Sequence, residues 1–132
     1  MRTFEKITKG LILVALFSCI SSGYAQKFWV GGMGKWSDVS HWSKTSGGIG
    51  GASAPKLTQD AVFDKNSGIH KGDSVFVNGS VLVKNLDFSS LPYPVVLHGD
   101  SSSGIFIAGK IFGEQKFVNE FKGFVYMAGM NS

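Results

Sequence analysis

The sequence predicts an all-β chain: a parallel β-helix or solenoid-like start with an N-terminal Trp/Gly cap, with an antiparallel β-sandwich as the alternative. Three observations predict it. Beyond residue 25 no stretch keeps the i, i+3, i+4 apolar spacing of an amphipathic helix over three turns. Short runs rich in Val, Ile and Phe alternate with Gly, Ser, Asn and Asp clusters, as strands alternate with turns. And Asn85-Leu86-Asp87-Phe88, Ile105-Phe106-Ile107 and Phe124-Val125-Tyr126 are centred roughly 20 residues apart, the length of one solenoid coil.

The chain opens on a different pattern. Arg2, Lys6 and Lys9 precede an apolar run of about ten residues, Leu11 to Ile20, and Gly23-Tyr24-Ala25 supplies small residues before Gln26. Charge, short apolar stretch and small-residue exit read as a signal peptide over 1–25, helical while it lasts, with cleavage between Ala25 and Gln26. The apolar run is shorter than the roughly 20 residues needed to span a bilayer, so no membrane association is expected after cleavage. Lipidation of Cys19 is the other alternative, but the bulky Phe17 fits a lipoprotein box poorly. The expected destination is outside the cytoplasm: the cell surface, the medium, or the periplasm.

Residues 26–60 read as an N-terminal cap and a Gly-rich loop. Lys27–Val30 is an aromatic strand leading into Gly31-Gly32-Met33-Gly34, whose glycines suit a tight reversal. Asp38 and Ser40 suit side-chain capping of the turns that follow. Trp36 and Trp42 can then fold over the apolar end of a sheet and bury large areas as a plug. Ser46–Ser53 lacks both the strand–helix context and the Lys-Ser/Thr ending of a phosphate-binding loop, so it reads as a surface loop.

Residues 61–132 read as solenoid-like strands: Ala61–Phe63, Ser74–Val77, Val81–Phe88, Val95–His98, Gly104–Ile107, Lys110–Phe112, Lys116–Val118 and Gly123–Met127. The last stretch is a strand and turn with no polar closing cap, which a solenoid needs, so a fragment of a longer protein is expected.

Composition excludes several classes. Three of the 13 Lys+Arg and one of the nine Asp+Glu lie in 1–25, so removing the signal lowers the formal charge from +4 to +2. The remaining cations are all Lys and are spread singly, which argues against a nucleic-acid surface. The single Cys lies in the signal, so the rest must hold together by core burial without an internal disulfide.

The string FWVGGMGKWSDVSHWS, then SGGIGGASAP, Asp60-Ala61-Val62-Phe63-Asp64 and Lys84-Asn85-Leu86-Asp87-Phe88, resembles the amino-terminal region of large exported, adhesin-like surface proteins of type IX-secreting bacteria. The resemblance implies a β-helix-like start to a repeat protein. It implies other surface proteins, glycans or downstream repeats of the same chain as partners, and it carries no catalytic motif. The tandem repeats and C-terminal sorting domain of that pattern are missing here.

Candidate chemistry is thin. His41, His70 and His98 are far apart, without the close ligand pair of a zinc site, and are expected on surfaces or turns. No Ser stands in Gly-x-Ser-x-Gly. Asp60, Asp64 and Asn66 offer oxygen ligands at short spacing, so calcium is the one cofactor to weigh, against a role as turn caps. Trp36, Trp42 and Tyr93 are the candidates for stacking on sugar rings, against burial of both Trp in the cap. A β-helical polysaccharide-active enzyme is the catalytic rival; the chain after residue 25 has no Arg to serve as its basic residue, and Lys84 or Lys110 would stand in. The expectation is a non-enzymatic, adhesin-like structural segment, with a carbohydrate-binding module and then that enzyme as alternatives.

Overall fold

The computed structural model describes residues 25–128. The signal helix, Cys19 and most of the cleavage region lie outside the described residues. The strands are β1 (Gln26–Trp29), β2 (Gly34–Lys35), β3 (Trp42–Ser43), β4 (Asp60–Val62), β5 (Ser74–Phe76) and β6 (Ser80–Val83). They continue with β7 (Leu86–Asp87), β8 (Val95–Gly99), β9 (Gly104–Ile107), β10 (Ile111–Phe112), β11 (Phe117–Phe121) and β12 (Phe124–Met127). The helical elements described are two three-residue 3₁₀ turns, Val39–His41 and Glu114–Lys116. The described chain is all-β.

Its strands form three sheets, with orders β10-β7-β4-β1-β3, β11-β8-β5-β2 and β12-β9-β6. From β4 onward each consecutive strand joins the next sheet, and every third strand returns to the first. Parallel neighbours need a crossover between them; here the crossover runs through the other two sheets. The pairs are parallel except β1–β3, so an antiparallel sandwich is not what forms.

Register corrects the expected period. In the first sheet Ala61 pairs with Leu86 and Leu86 with Ile111, a spacing of 25 residues both times. In the second, Phe76, His98 and Glu120 stand in line at a spacing of 22. In the third, Val81 pairs with Ile105 at 24 and Phe106 with Tyr126 at 20. The segments at 105–107 and 124–126 therefore do stack, whereas Leu86 belongs to a different sheet. The run Val81–Phe88 also divides into β6 and β7, because a corner falls at Lys84–Asn85: Asn85 Nδ2 donates to Asp60 Oδ1 (2.9 Å), and its Oδ1 accepts from Lys110 N (2.8 Å).

The pleat explains which residues are inside, since alternate side chains share a face. Val83, Ile105 and Ile107 of the third sheet and Val75, Val95 and Leu97 of the second are buried. Full burial of each such side chain contributes roughly 1.5–3 kcal/mol. Corners repeat one device. At Asp38–Ser40, Asp87–Ser89 and Asp100–Ser102, the Ser N–H and hydroxyl both donate to the Asp Oδ1, at 2.6 to 3.0 Å. The last strand of each sheet leaves large apolar side chains exposed: Phe112, Val118, Phe124, Val125 and Tyr126.

Candidate functional site

The aromatic cap is built from β1, β3 and the reversal between them. Trp29, Trp36 and Trp42 are at most 1 % exposed. Trp36 and Trp42 meet edge to face at 4.9 Å, Trp29 and Trp42 at 5.2 Å, and all three contact Phe63. Trp29 Nε1 donates to Gly32 O (2.7 Å) and Trp42 Nε1 to Trp36 O (2.8 Å), so these indole N–H groups are satisfied inside. His41 lies flat on Trp29, ring centroids 4.6 Å apart and planes 3° from parallel. Its Nδ1 is 2.7 Å from Val30 O, and since a carbonyl only accepts, that nitrogen carries the proton. Gly34 is required here: a Cβ would run into the His41 ring.

This corrects two expectations. Trp36 and Trp42 cannot stack on a sugar, because both rings are enclosed by other aromatics. Tyr93 is about half exposed, in the turn before β8. And His41 is part of the cap rather than a surface residue, whereas His98 does stand on the partly exposed outer face of β8. His70 is the one on an exposed turn, 3.4 Å from Asp73.

Asp60, Asp64 and Asn66 do not converge as one ligand set. Asp60 is buried in β4 and accepts from Asn85. Asp64 Oδ1 accepts from Asn66 N (2.9 Å), its Oδ2 accepts from Ser46 Oγ (2.6 Å), and Asn66 Nδ2 donates to the same Ser46 Oγ (3.0 Å). Asp64 and Asn66 thus close a turn and pin the Gly-rich loop to it. Among the described residues no three His, Cys, Asp or Glu side chains are grouped to hold a metal ion.

Two clusters were not anticipated. On the outer face of the second sheet, Phe76, His98 and Glu120 form one row and Asn78, Asp100 and Lys122 line the same open groove of about 310 Å³. Phe76 and His98 stack at 5.2 Å, and His98 Nε2 is 3.3 Å from Glu120 Oε2. Hydrogen bonds from the Ser102 and Ser103 hydroxyls hold the Asp100 carboxyl below the usual range. The carboxylates, amide, imidazole and ammonium can hydrogen-bond a polyhydroxylated ligand, and the Phe76 ring adds an apolar contact. No sequence signal marks this row: Phe76, His98 and Glu120 share no residue type, and only strand register brings them into line. The second cluster surrounds Lys27, which is 5 % exposed on the same face of β1 as Trp29.

Comparison of the chain with protein families, with curated proteins and with solved structures finds no match in any of the three.

Proposed function

We propose that this chain is the opening of a β-solenoid: a non-enzymatic, structural segment of an exported, adhesin-like surface protein. Residues 26–60 serve as its cap and the strands after 61 as its stacked coils. The observation that carries the reading is recurrence. Three strands in succession, one per sheet, are followed by three more and then three more, each stacked in parallel on its predecessor. Such a stack gains stability from neighbour-on-neighbour burial and suits a stiff spacer.

Export is tested by expressing the gene in a bacterium with a general secretion pathway and determining the mass of the product. A mature chain starting at Gln26 in the extracytoplasmic fraction supports the reading. An intact chain starting at Met1 in the cytoplasm overturns it.

Carbohydrate binding is the second reading, and the groove beside Phe76, His98 and Glu120 favours it. A glycan array tests it directly. Retention by the parent that is lost in Phe76→Ala and Glu120→Gln supports it, and no retained glycan removes it.

A further inference from the structure

Strands β6, β9 and β12 of the third sheet hold no Asp, Glu, Lys or Arg. Their inward side chains, Val83, Ile105 and Ile107 among them, are buried. The outward side chains are apolar as well. Register sets Leu82, Phe106 and Tyr126 in one outward row. Phe106 meets Tyr126 at 5.6 Å and Phe124, edge to face, at 5.9 Å. The Phe124 ring lies across Gly104, where a Cβ would come within 3.1 Å of it. Parallel sheets that are apolar on both faces are ordinarily covered on both. Here Leu82, Phe124 and Tyr126 are about half exposed. The second sheet differs, since its outer row carries His98 and Glu120.

The chemistry of this face selects what covers it. Leu57, Leu82, Phe106, Ala108, Tyr126 and Ala128 line an open hollow of about 200 Å³. The Tyr126 hydroxyl is the one side-chain hydrogen-bonding group among these six. A peptide backbone or a sugar laid there would lose its bonds to water without replacement, whereas an acyl chain has none to lose. Cations surround the hollow. Lys84 directly follows β6, Lys110 lies three residues past Ile107, and Lys122 stands two before Phe124. Lys56 lines a neighbouring hollow with Ser80 and Leu82. Among the described residues, Asp100 is the one acid in the turns that flank these three strands, so four cations and one acid leave a net charge of +3. A second copy of the chain would set Lys against Lys. An anionic lipid surface answers both the charge and the apolar rings.

We propose that the outer face of the third sheet docks on an anionic lipid bilayer. Leu82, Phe106, Phe124 and Tyr126 sit at the acyl boundary, and Lys56, Lys84, Lys110 and Lys122 at the headgroups. Such contact lies on the surface and needs no membrane-spanning run.

Co-sedimentation tests it with vesicles of equimolar phosphatidylglycerol and phosphatidylcholine against phosphatidylcholine alone. Polyglutamate beads serve as the acidic-polypeptide probe, and analytical ultracentrifugation without lipid reads self-association. Parent and variants share residues 1–25 wherever the host keeps them, so the differences report the face whether or not export holds. Each net positive charge is worth about fivefold at an anionic surface, so the parent prefers the anionic vesicles by about a hundredfold. Lys56→Gln/Lys122→Gln removes two charges and lowers that preference to about fivefold. Leu82→Gln/Tyr126→Gln, at half-exposed positions, keeps the preference but weakens binding to both vesicles about tenfold or more. Thermal unfolding confirms that each variant is folded. A parent that does not sediment with anionic vesicles, or binding left unchanged by Leu82→Gln/Tyr126→Gln, overturns the proposal. Retention on polyglutamate without vesicle binding overturns it in favour of an acidic protein. A lipid-free dimer that Leu82→Gln/Tyr126→Gln abolishes overturns it in favour of a second copy.

Discussion

Phe63 and Phe88, just past the ends of the parallel pair β4–β7, pack ring on ring at a tilt of 31° with centroids 5.0 Å apart, and the residue at the same place after β10 is Gly113. Phe88 instead meets Phe117, from the second sheet, at 5.1 Å. The interior column thus runs from the Trp cap through Phe63 and Phe88 to Phe117, changing sheets at its last step. Gly113 makes this change possible, since it turns with φ +72° where a Cβ would sit 2.5 Å from Ser89 N.

Gly113→Ala therefore meets two penalties and Gly72→Ala one. Gly72 also has positive φ, but a Cβ there meets nothing within 4 Å. Left-handed backbone alone costs roughly 1–2 kcal/mol. Urea unfolding is expected to give about that loss for Gly72→Ala and a clearly larger one for Gly113→Ala. Equal losses would refute the close-contact account.

Trp36→Ala removes a buried ring from the cap, which costs about 3–5 kcal/mol for a large aromatic. Equilibrium denaturation should show this loss, whereas Tyr93→Ala, at a half-exposed turn, should change stability by about 0.5 kcal/mol or less. A small loss for Trp36→Ala would mean that the cap is not packed as described.

Asp100 gives an acid-side prediction. Its carboxyl pKa is lowered by hydrogen bonds from Ser102 and Ser103. The unfolded chain then binds the proton more readily, so the stabilisation is present above the ordinary value of 3.8 and is lost as pH falls through the lowered one. Melting temperatures taken from pH 6 down to about pH 2 should fall more steeply for the parent than for Asp100→Asn. Parallel curves would contradict this.

Lys27 gives the alkaline counterpart, with the opposite group and the same sign of slope. Folding lowers its pKa below 10.5, so between the lowered value and 10.5 the unfolded chain holds more protons. Stability of the parent relative to Lys27→Met should therefore rise as pH is raised toward 10.5, measured by denaturant unfolding at stepped pH. A relative stability that is flat or falling across that window would show that the ammonium is not strained.

Much of the strand content was legible because period-2 apolar runs and Gly/Asp/Ser turns act locally. Ala61–Phe63, Ser74–Val77, Val95–His98 and Gly104–Ile107 were placed within a residue or so of β4, β5, β8 and β9. The two-residue strands β2 and β3 were not, because they exist only through their partners: Gly34–Lys35 pairs with Val75–Phe76, and Trp42–Ser43 with Phe28–Trp29. The groove was not legible, because Phe76, His98 and Glu120 share no residue type and only register shows that their side chains share a face.

By itself the sequence determined that the chain beyond residue 25 is all-β, where most of the turns fall though not the corner at Lys84–Asn85, and that Trp36 and Trp42 stand near glycines. Those are properties of neighbouring residues, set by backbone preference and alternation. Only the tertiary structure decided that Leu86 stacks on Ala61 rather than with Ile105, that both Trp rings are closed to solvent, and that Lys27 lies inside in line with Ala61. The reason is common to all three: register between strands distant in the chain is set by which side chains fill the shared interior, and no local signal carries that information.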